Sequence, residues 1–289
     1  MDKNLEVKIA ANAGFCFGVK RAIDLVEKTL NEKPDVYTLG PIIHNPQEVK
    51  RLKEKGVKIL NDIERVKNGC IILRTHGISL ELLNRLEKDK TLHIIDATCP
   101  FVKKAQDIIK NLSLQETTIV IIGENSHPEV EALVSYGEGK CIVIESTREA
   151  LKFKGIGELN IVSQTTQSPQ NFNVIVEILK KRFKVNIYNT ICEATLERQE
   201  SAKKLAKEVD LMIVIGGKNS GNTTRLAEIC NAQTKTYHIE TIDELDDKWF
   251  NNIKTVGLTA GASTPDNIIK SVQGRLGEII QTDIVKRGT

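Results

Sequence analysis

The sequence predicts an α/β fold built from three similar units, and three observations in its 289 residues carry that reading. Strand-like apolar runs alternate with amphipathic helical stretches along the chain. A cysteine recurs between a strand-like run and a helical one, at Cys16, Cys99 and Cys192. Each of these cysteines stands 24 residues before a glycine that ends a second apolar run, Gly40 in VYTLG, Gly123 in TIVIIG and Gly216 in LMIVIG. A register shared three times marks internal repetition, and repetition sets the fold before any single motif does.

Within each unit the elements follow in one order. The strand-like runs VKIA, LHIID and VNIYN lead to the three cysteines, and FGVKRAIDLVEKTL, the stretch after Cys99 and the stretch after Cys192 are the helices that follow. Beyond the glycines come polar residues at matching distance: His44 in GPIIHNPQEV, His127 in GENSHPEV, Ser220 and Asn222 in GGKNSGNTTR. A helical stretch comes next, then a short strand with an acidic turn in VKILNDIE, CIVIESTRE and TYHIETIDE. A last strand closes each unit on small or polar residues, with His76 in IILRTHG, Thr165 and Thr166 in NIVSQTTQ, and Ser263 in VGLTAGAST. The expected units are 1–93, 94–186 and 187–289, the third ending in a C-terminal helix. Ligands of open α/β sheets sit beyond the carboxyl ends of the strands, where all of these residues fall. With the units arranged pseudo-threefold, those ends face one central cavity.

Composition narrows the partners. The 40% apolar and 27% charged residues describe an ordinary globular protein. A net charge of +3, from 41 basic and 38 acidic residues without a basic block, argues against nucleic acid and leaves a small anionic ligand open. The start MDKNLEVKIA lacks a signal-peptide pattern, and apolar runs such as LMIVIGG are too short to span a membrane. A cytoplasmic protein is therefore expected, in which the six cysteines stay reduced.

A helix start favours a thiolate, because its unpaired N–H groups and dipole stabilise negative charge. Three thiolates from equivalent positions suit a [4Fe–4S] cluster with one iron left open, and a three-cysteine zinc site is the alternative. Cys70, Cys141 and Cys230 have no counterpart in the repeat and read as small buried hydrophobes. His44, His76 and His127 can donate N–H bonds to a diphosphate, while His93 and His238 lie mid-strand and read as structural. Ser220, Asn222 and Ser263 supply small donors beside glycine and a helix start, a nest for an anion. IGGKNSGNTT lacks the ending of a nucleoside-triphosphate loop. Glu129, at a helix start, can relay a proton together with Thr165 and Thr166.

These motifs together, AGFCFGVKRA, GPIIHNPQEV, THG, DATCP, HPEV, QTTQ, NTIC, GGKNSGNT and AGASTP, resemble the 4-hydroxy-3-methylbut-2-enyl diphosphate reductase family of the non-mevalonate isoprenoid pathway. The likeness runs in order over nearly the whole chain. It implies a trefoil of three α/β domains around a [4Fe–4S] cluster held by Cys16, Cys99 and Cys192, and reductive removal of an allylic hydroxyl to give isopentenyl and dimethylallyl diphosphates. His44, His76, His127, Ser220, Gly221, Asn222 and Ser263 would bind the diphosphate, with Thr165 near the substrate hydroxyl and Glu129 as proton source. Gly221 replaces a serine found in family members, which removes at most one hydroxyl contact. The resemblance also implies an electron donor such as ferredoxin or flavodoxin, and a monomer without nucleic-acid or membrane partners. The competing readings are a hydro-lyase with an open-iron cluster and a non-enzymatic iron–sulfur sensor or structural zinc protein.

Overall fold

The computed structural model describes residues 5–62, 66 and 68–287. It contains three four-stranded sheets, every strand pair parallel. One sheet runs in the order β3-β2-β4-β5, from β2 (Val36–Leu39), β3 (Lys58–Leu60), β4 (Gly69–Leu73) and β5 (Leu92–Asp96). The second has the order β7-β6-β8-β9, from β6 (Thr118–Ile122), β7 (Cys141–Ile144), β8 (Glu158–Ser163) and β9 (Lys184–Tyr188). The third has the order β11-β10-β12-β1, from β10 (Leu211–Ile215), β11 (Lys235–Ile239), β12 (Thr255–Ala260) and β1 (Glu6–Ile9). The three orders are the same topology repeated.

The strand pairing groups the strands differently from the expected unit boundaries. Positions 93/94 and 186/187 fall inside β5 and β9, and each of these strands completes the sheet of the preceding repeat rather than opening the next. The third sheet is completed in the same way by β1, from the start of the chain. Residues 1–4 of the first expected unit, Ile63 and Glu64 of its acidic turn, and residues 288 and 289 lie outside the described residues.

Central strands are apolar on both faces, as a parallel sheet covered by helices requires. Ile119–Ile122 of β6 and all five residues of β10 are fully buried. The helices present matching stripes. α1 (Phe17–Glu32) buries Val19, Ala22, Ile23 and Val26 at i, i+3, i+4, i+7, and α4 (Pro100–Ser113) buries Val102, Ala105, Ile109 and Leu112 at i, i+3, i+7, i+10, both one face of an amphipathic helix. α10 (Asp266–Arg287) places Ile268, Ile269, Val272, Leu276 and Ile279 against the third sheet. α8 (Glu193–Ala206) is the exception, because Thr195, Arg198 and Gln199 lie on its buried face. Helix starts are written in the sequence: proline opens α4, α5 (Pro128–Ser135) and α7 (Pro169–Lys180), and serine caps α7 through Ser168 and α9 (Gly221–Asn231) through Ser220.

The chain divides into two compact units, one of Met1–Phe17, His44–Lys50 and Glu193–Thr289, the other of Gly18–Ile43 and Arg51–Cys192. The first holds the β11-β10-β12-β1 sheet and the second holds the other two. Among the described residues no helix is long and apolar enough to cross a membrane.

Candidate active site

The repeat builds one scaffold three times at the carboxyl ends of the strands. The N–H of Gly40 donates to the carbonyl of Leu60 (2.8 Å), that of Gly123 to Ile144 (3.3 Å) and that of Gly216 to Ile239 (2.9 Å), so the three glycines of the shared register do the same work. After β4, β8 and β12 the chain makes the same tight turn, closed by Gly77 N–H to Arg74 (3.0 Å), Gln167 to Gln164 (3.1 Å) and Thr264 to Gly261 (3.0 Å). The second carbonyl of each turn accepts the amide of a cysteine: Thr75 from Cys99 (3.0 Å), Thr165 from Cys192 (2.9 Å) and Ala262 from Cys16 (3.2 Å). Each of these cysteines immediately precedes the first residue of its helix, at Phe17, Pro100 or Glu193. All three are half-buried.

The other thiols sit in a different environment. Burial raises Cys70 in β4 and pushes Cys141 up to about 11 and Cys230 up to about 12, which holds them as neutral thiols. The donor set thus separates by position into three thiols at helix starts and three, two of them buried and Cys141 half-buried, whose thiols burial raises.

Within the unit of residues 18–43 and 51–192, the rings of His76 and His127 meet edge to face, with centroids 5.5 Å apart. His127 caps α5: its Nδ1 accepts the N–H of Glu129 (3.1 Å), so in the neutral ring the proton is on Nε2. Glu129 is only 1% exposed. Thr165 donates its N–H to one carboxyl oxygen (2.6 Å) and its Oγ1–H to the other (2.8 Å). Burial outweighs these two bonds and raises the carboxyl to about 7. The hydroxyl of Thr166 is engaged by Gln164 (3.1 Å).

Within the unit of residues 1–17, 44–50 and 193–289, Ser263 turns its hydroxyl proton to the backbone carbonyl of His44 (2.9 Å). Ser220 caps α9 by accepting the N–H of Thr223 (3.4 Å), which leaves its own O–H as a donor, and Gly221 opens the helix. Both amide atoms of Asn222 are buried with no hydrogen-bond partner among the described residues. An orphaned amide at a helix start has the donors a bound anion would satisfy. Gly216 is a close approach: its φ is +145°, and a Cβ there would lie 2.7 Å from Thr264 Oγ1 and 3.0 Å from Thr223 Oγ1. His238 bonds the carbonyl of Gly216 (2.9 Å), as a structural histidine does.

The sequence patterns did not single out two arginines. Arg21 of α1 donates to the carbonyls of Asp96 (3.2 Å) and Thr98 (3.3 Å), and Arg198 of α8 donates to that of Gly14 (2.8 Å). The signal was present as an offset, five residues after Cys16 and six after Cys192. The one-residue difference hid it. Thr190 and Ser163, joined by paired backbone and hydroxyl bonds of 3.0 and 3.1 Å beside Cys192, left no signal in the sequence.

Parallel sheets whose carboxyl ends carry histidines, hydroxyls and a buried acid define an α/β enzyme. The family model described as LytB protein matches residues 7–277, and the chain belongs to that family, as an oxidoreductase. A 4-hydroxy-3-methylbut-2-enyl diphosphate reductase of Pelobacter propionicus is 49% identical over 278 residues, covering 95% of this chain and 99% of its own. The enzyme of the same name from Geobacter sulfurreducens is 49% identical over 277 residues, covering 95% and 98%. Among solved structures, an (E)-4-hydroxy-3-methyl-but-2-enyl diphosphate reductase, the terminal enzyme of the non-mevalonate pathway, matches with a TM-score of 0.70 at 49% identity over 95% of this chain and all of that one. An E-1-hydroxy-2-methyl-but-2-enyl-4-diphosphate reductase from Plasmodium falciparum matches with a TM-score of 0.88 at 29% identity, over 94% of this chain and 88% of that one.

Proposed function

We propose that this chain reduces 4-hydroxy-3-methylbut-2-enyl diphosphate to isopentenyl and dimethylallyl diphosphates. The allylic C–O bond breaks, the hydroxyl leaves as water with one proton, and two electrons and a second proton complete the new C–H bond. The electrons come from a small carrier protein of the ferredoxin or flavodoxin type. Cys16, Cys99 and Cys192 are the residues that would hold a [4Fe–4S] cluster. Three thiols at equivalent helix starts fit a three-thiolate donor set, whereas Cys70, Cys141 and Cys230, whose thiols burial raises, do not. When bound, the cluster supplies the two electrons one at a time and a Lewis-acidic iron.

Hydroxide is a poor leaving group, so its departure needs a proton. The single observation that carries the proposal is the Glu129–Thr165 pair. A carboxyl at about 7 is half protonated at neutral pH and can pass a proton to Thr165 Oγ1, 2.8 Å away, once that hydroxyl turns its own proton from the carboxyl to an acceptor beyond. The same Thr165 holds the Cys192 amide through its carbonyl, which ties the proton path to a proposed metal ligand. For the diphosphate, the donors would be the Nε2–H of His127 with His76 beside it, His44, Ser220, Asn222, the backbone at Gly221, and Ser263 once its hydroxyl turns from the His44 carbonyl.

The test is Glu129→Gln in protein prepared without oxygen. The amide keeps the shape but has no transferable proton, so substrate should still bind while turnover falls by about 10²- to 10⁴-fold. Mössbauer spectra during substrate titration report binding, and oxidation of a reduced viologen reports turnover. A wild-type rate in the variant excludes Glu129 as the essential donor.

A further inference from the structure

We infer that Arg21 and Arg198 are positioning residues for the metal-holding cysteines, each set on the helix that begins at one cysteine and fixing the loop of another. The inference rests on the reading that Cys16, Cys99 and Cys192 hold the cluster. Arg21 lies on the helix that starts after Cys16, and the two carbonyls it binds stand three residues and one residue ahead of Cys99. Arg198 lies on the helix that starts after Cys192; its Nη1 donates to the Ala194 carbonyl of that helix (3.1 Å), and its Nη2 donates to the Gly14 carbonyl, two residues ahead of Cys16. The loop of Cys192 is held instead by Thr190, just after β9, bonded to Ser163 at the end of β8.

Packing alone does not account for these side chains. Arg198 is 2% exposed, and burying a guanidinium costs more than burying an apolar residue of the same volume unless its hydrogen bonds are needed. It is buried against a constrained target: Gly14 has φ +93° and is hemmed in by Ile269 Cδ1 and the Thr264 carbonyl. Arg21 binds two carbonyls of one short segment, and that segment is also closed by Thr98 N–H to Asp96 Oδ1 (2.9 Å) and by an Asp96–Lys103 ion pair. A planar fork spanning alternate carbonyls fixes a loop in a way that one ammonium does not. Partners one shell out from a metal orient its ligands, and losing one typically lowers metal affinity about 10- to 100-fold.

The experiment compares Arg21→Met, Arg21→Lys, Arg198→Met and Arg198→Lys with wild type. In the apo proteins, amide hydrogen exchange is followed at peptides containing Cys99 and Cys16. In anaerobically reconstituted proteins, iron content, EPR of the reduced cluster and the rate of iron loss to a chelator are measured. Arg21→Met should free the Cys99 amide and leave Cys16 protected, and Arg198→Met should do the reverse. Both should lose iron about 10- to 100-fold faster with altered EPR, at a melting temperature close to wild type, and the lysine variants should recover part of the loss. Equal exchange at both cysteines, or unchanged iron loss in folded variants, overturns the positioning role. If a methionine variant does not fold, the lysine variant decides by the same two readouts. Wild-type protein that takes up no iron and sulfide overturns the cluster reading itself, and the positioning role falls with it.

Discussion

At the scale of single residues, Glu129 makes stability depend on pH in a direction opposite to most carboxylates. Its ordinary value is 4.5, and burial in the folded protein raises it to about 7. The folded state therefore holds the proton more tightly than the unfolded state. Its contribution is fully present below the unfolded value and is lost as pH rises through the folded one, a span worth about 3 kcal/mol. Urea unfolding of the apo protein between pH 4.5 and 8 should show wild type losing roughly that much relative to Glu129→Gln, which has nothing to titrate there. Parallel curves would show that the carboxyl is not held as a neutral acid. Motif spacing made Glu129 and Thr165 legible as separate strand-end and helix-start residues. It could not show that both donors of Thr165 converge on one carboxyl 36 residues away, because no local pattern encodes a contact at that range. The cysteines divide just as sharply. Serine at Cys16, Cys99 or Cys192 should abolish iron uptake, since a hard oxygen is a poor replacement for a thiolate, and serine at Cys70, Cys141 or Cys230 should leave iron and sulfide content intact. An iron-free Cys70→Ser, Cys141→Ser or Cys230→Ser protein that is otherwise folded would mean that the repeat identified the wrong thiols.

At the scale of elements, helices and strands followed the apolar spacing closely, and their starts followed proline and serine. Partners were not legible: LHIID reads as a strand whether it pairs before or behind itself, and in the fold it pairs backward with β4. The turns at the strand ends carry the proposed site residues, and they tolerate little. Gly216 combines a φ of +145° with hydroxyls from Thr264 and Thr223 at 2.7 and 3.0 Å from a would-be Cβ. Gly139 has φ +80° but nothing within 4 Å. Alanine at Gly139 carries backbone strain alone, about 1 kcal/mol, whereas alanine at Gly216 must also displace two threonines and should cost about 2–3 kcal/mol. Urea unfolding of the two variants measures the difference. Equal losses would mean that the turn at Gly216 relaxes around the added methyl, and that the nest beside Ser220 is softer than its packing indicates.

At the scale of the whole chain, the sequence is linear but the repeat is cyclic. α3 (Leu80–Lys88) leads into β5 through residues 89–91, and α7 leads into β9 through 181–183. By the same order α10 should lead into β1, and it packs on the sheet that β1 completes, with Leu5 and Val7 against the Ile268, Ile269, Val272 and Leu276 core. α10 and β1 thus stand in the sheet as neighbouring repeat elements do, although they are far apart in sequence. A circular permutant that joins residue 280 to residue 5 by a short flexible linker and opens the chain between Lys90 and Thr91 moves the break to the equivalent place in another sheet. Closing a short loop between elements already packed costs little entropy, and Lys90 and Thr91 are exposed. The permutant should therefore fold with all three sheets, at a stability within about 2 kcal/mol of the parent, the range typical of modest changes in loop closure. Deleting residues 5–10 instead should remove the edge of the third sheet and release the Cys16 amide from Ala262. Hydrogen exchange resolved by strand separates the outcomes. Protection of β10 and β12 retained in the permutant and lost in the deletion supports a cyclic repeat, and a permutant whose third sheet exchanges freely would show that β1 needs its native connection to Cys16 and α1 to hold its place.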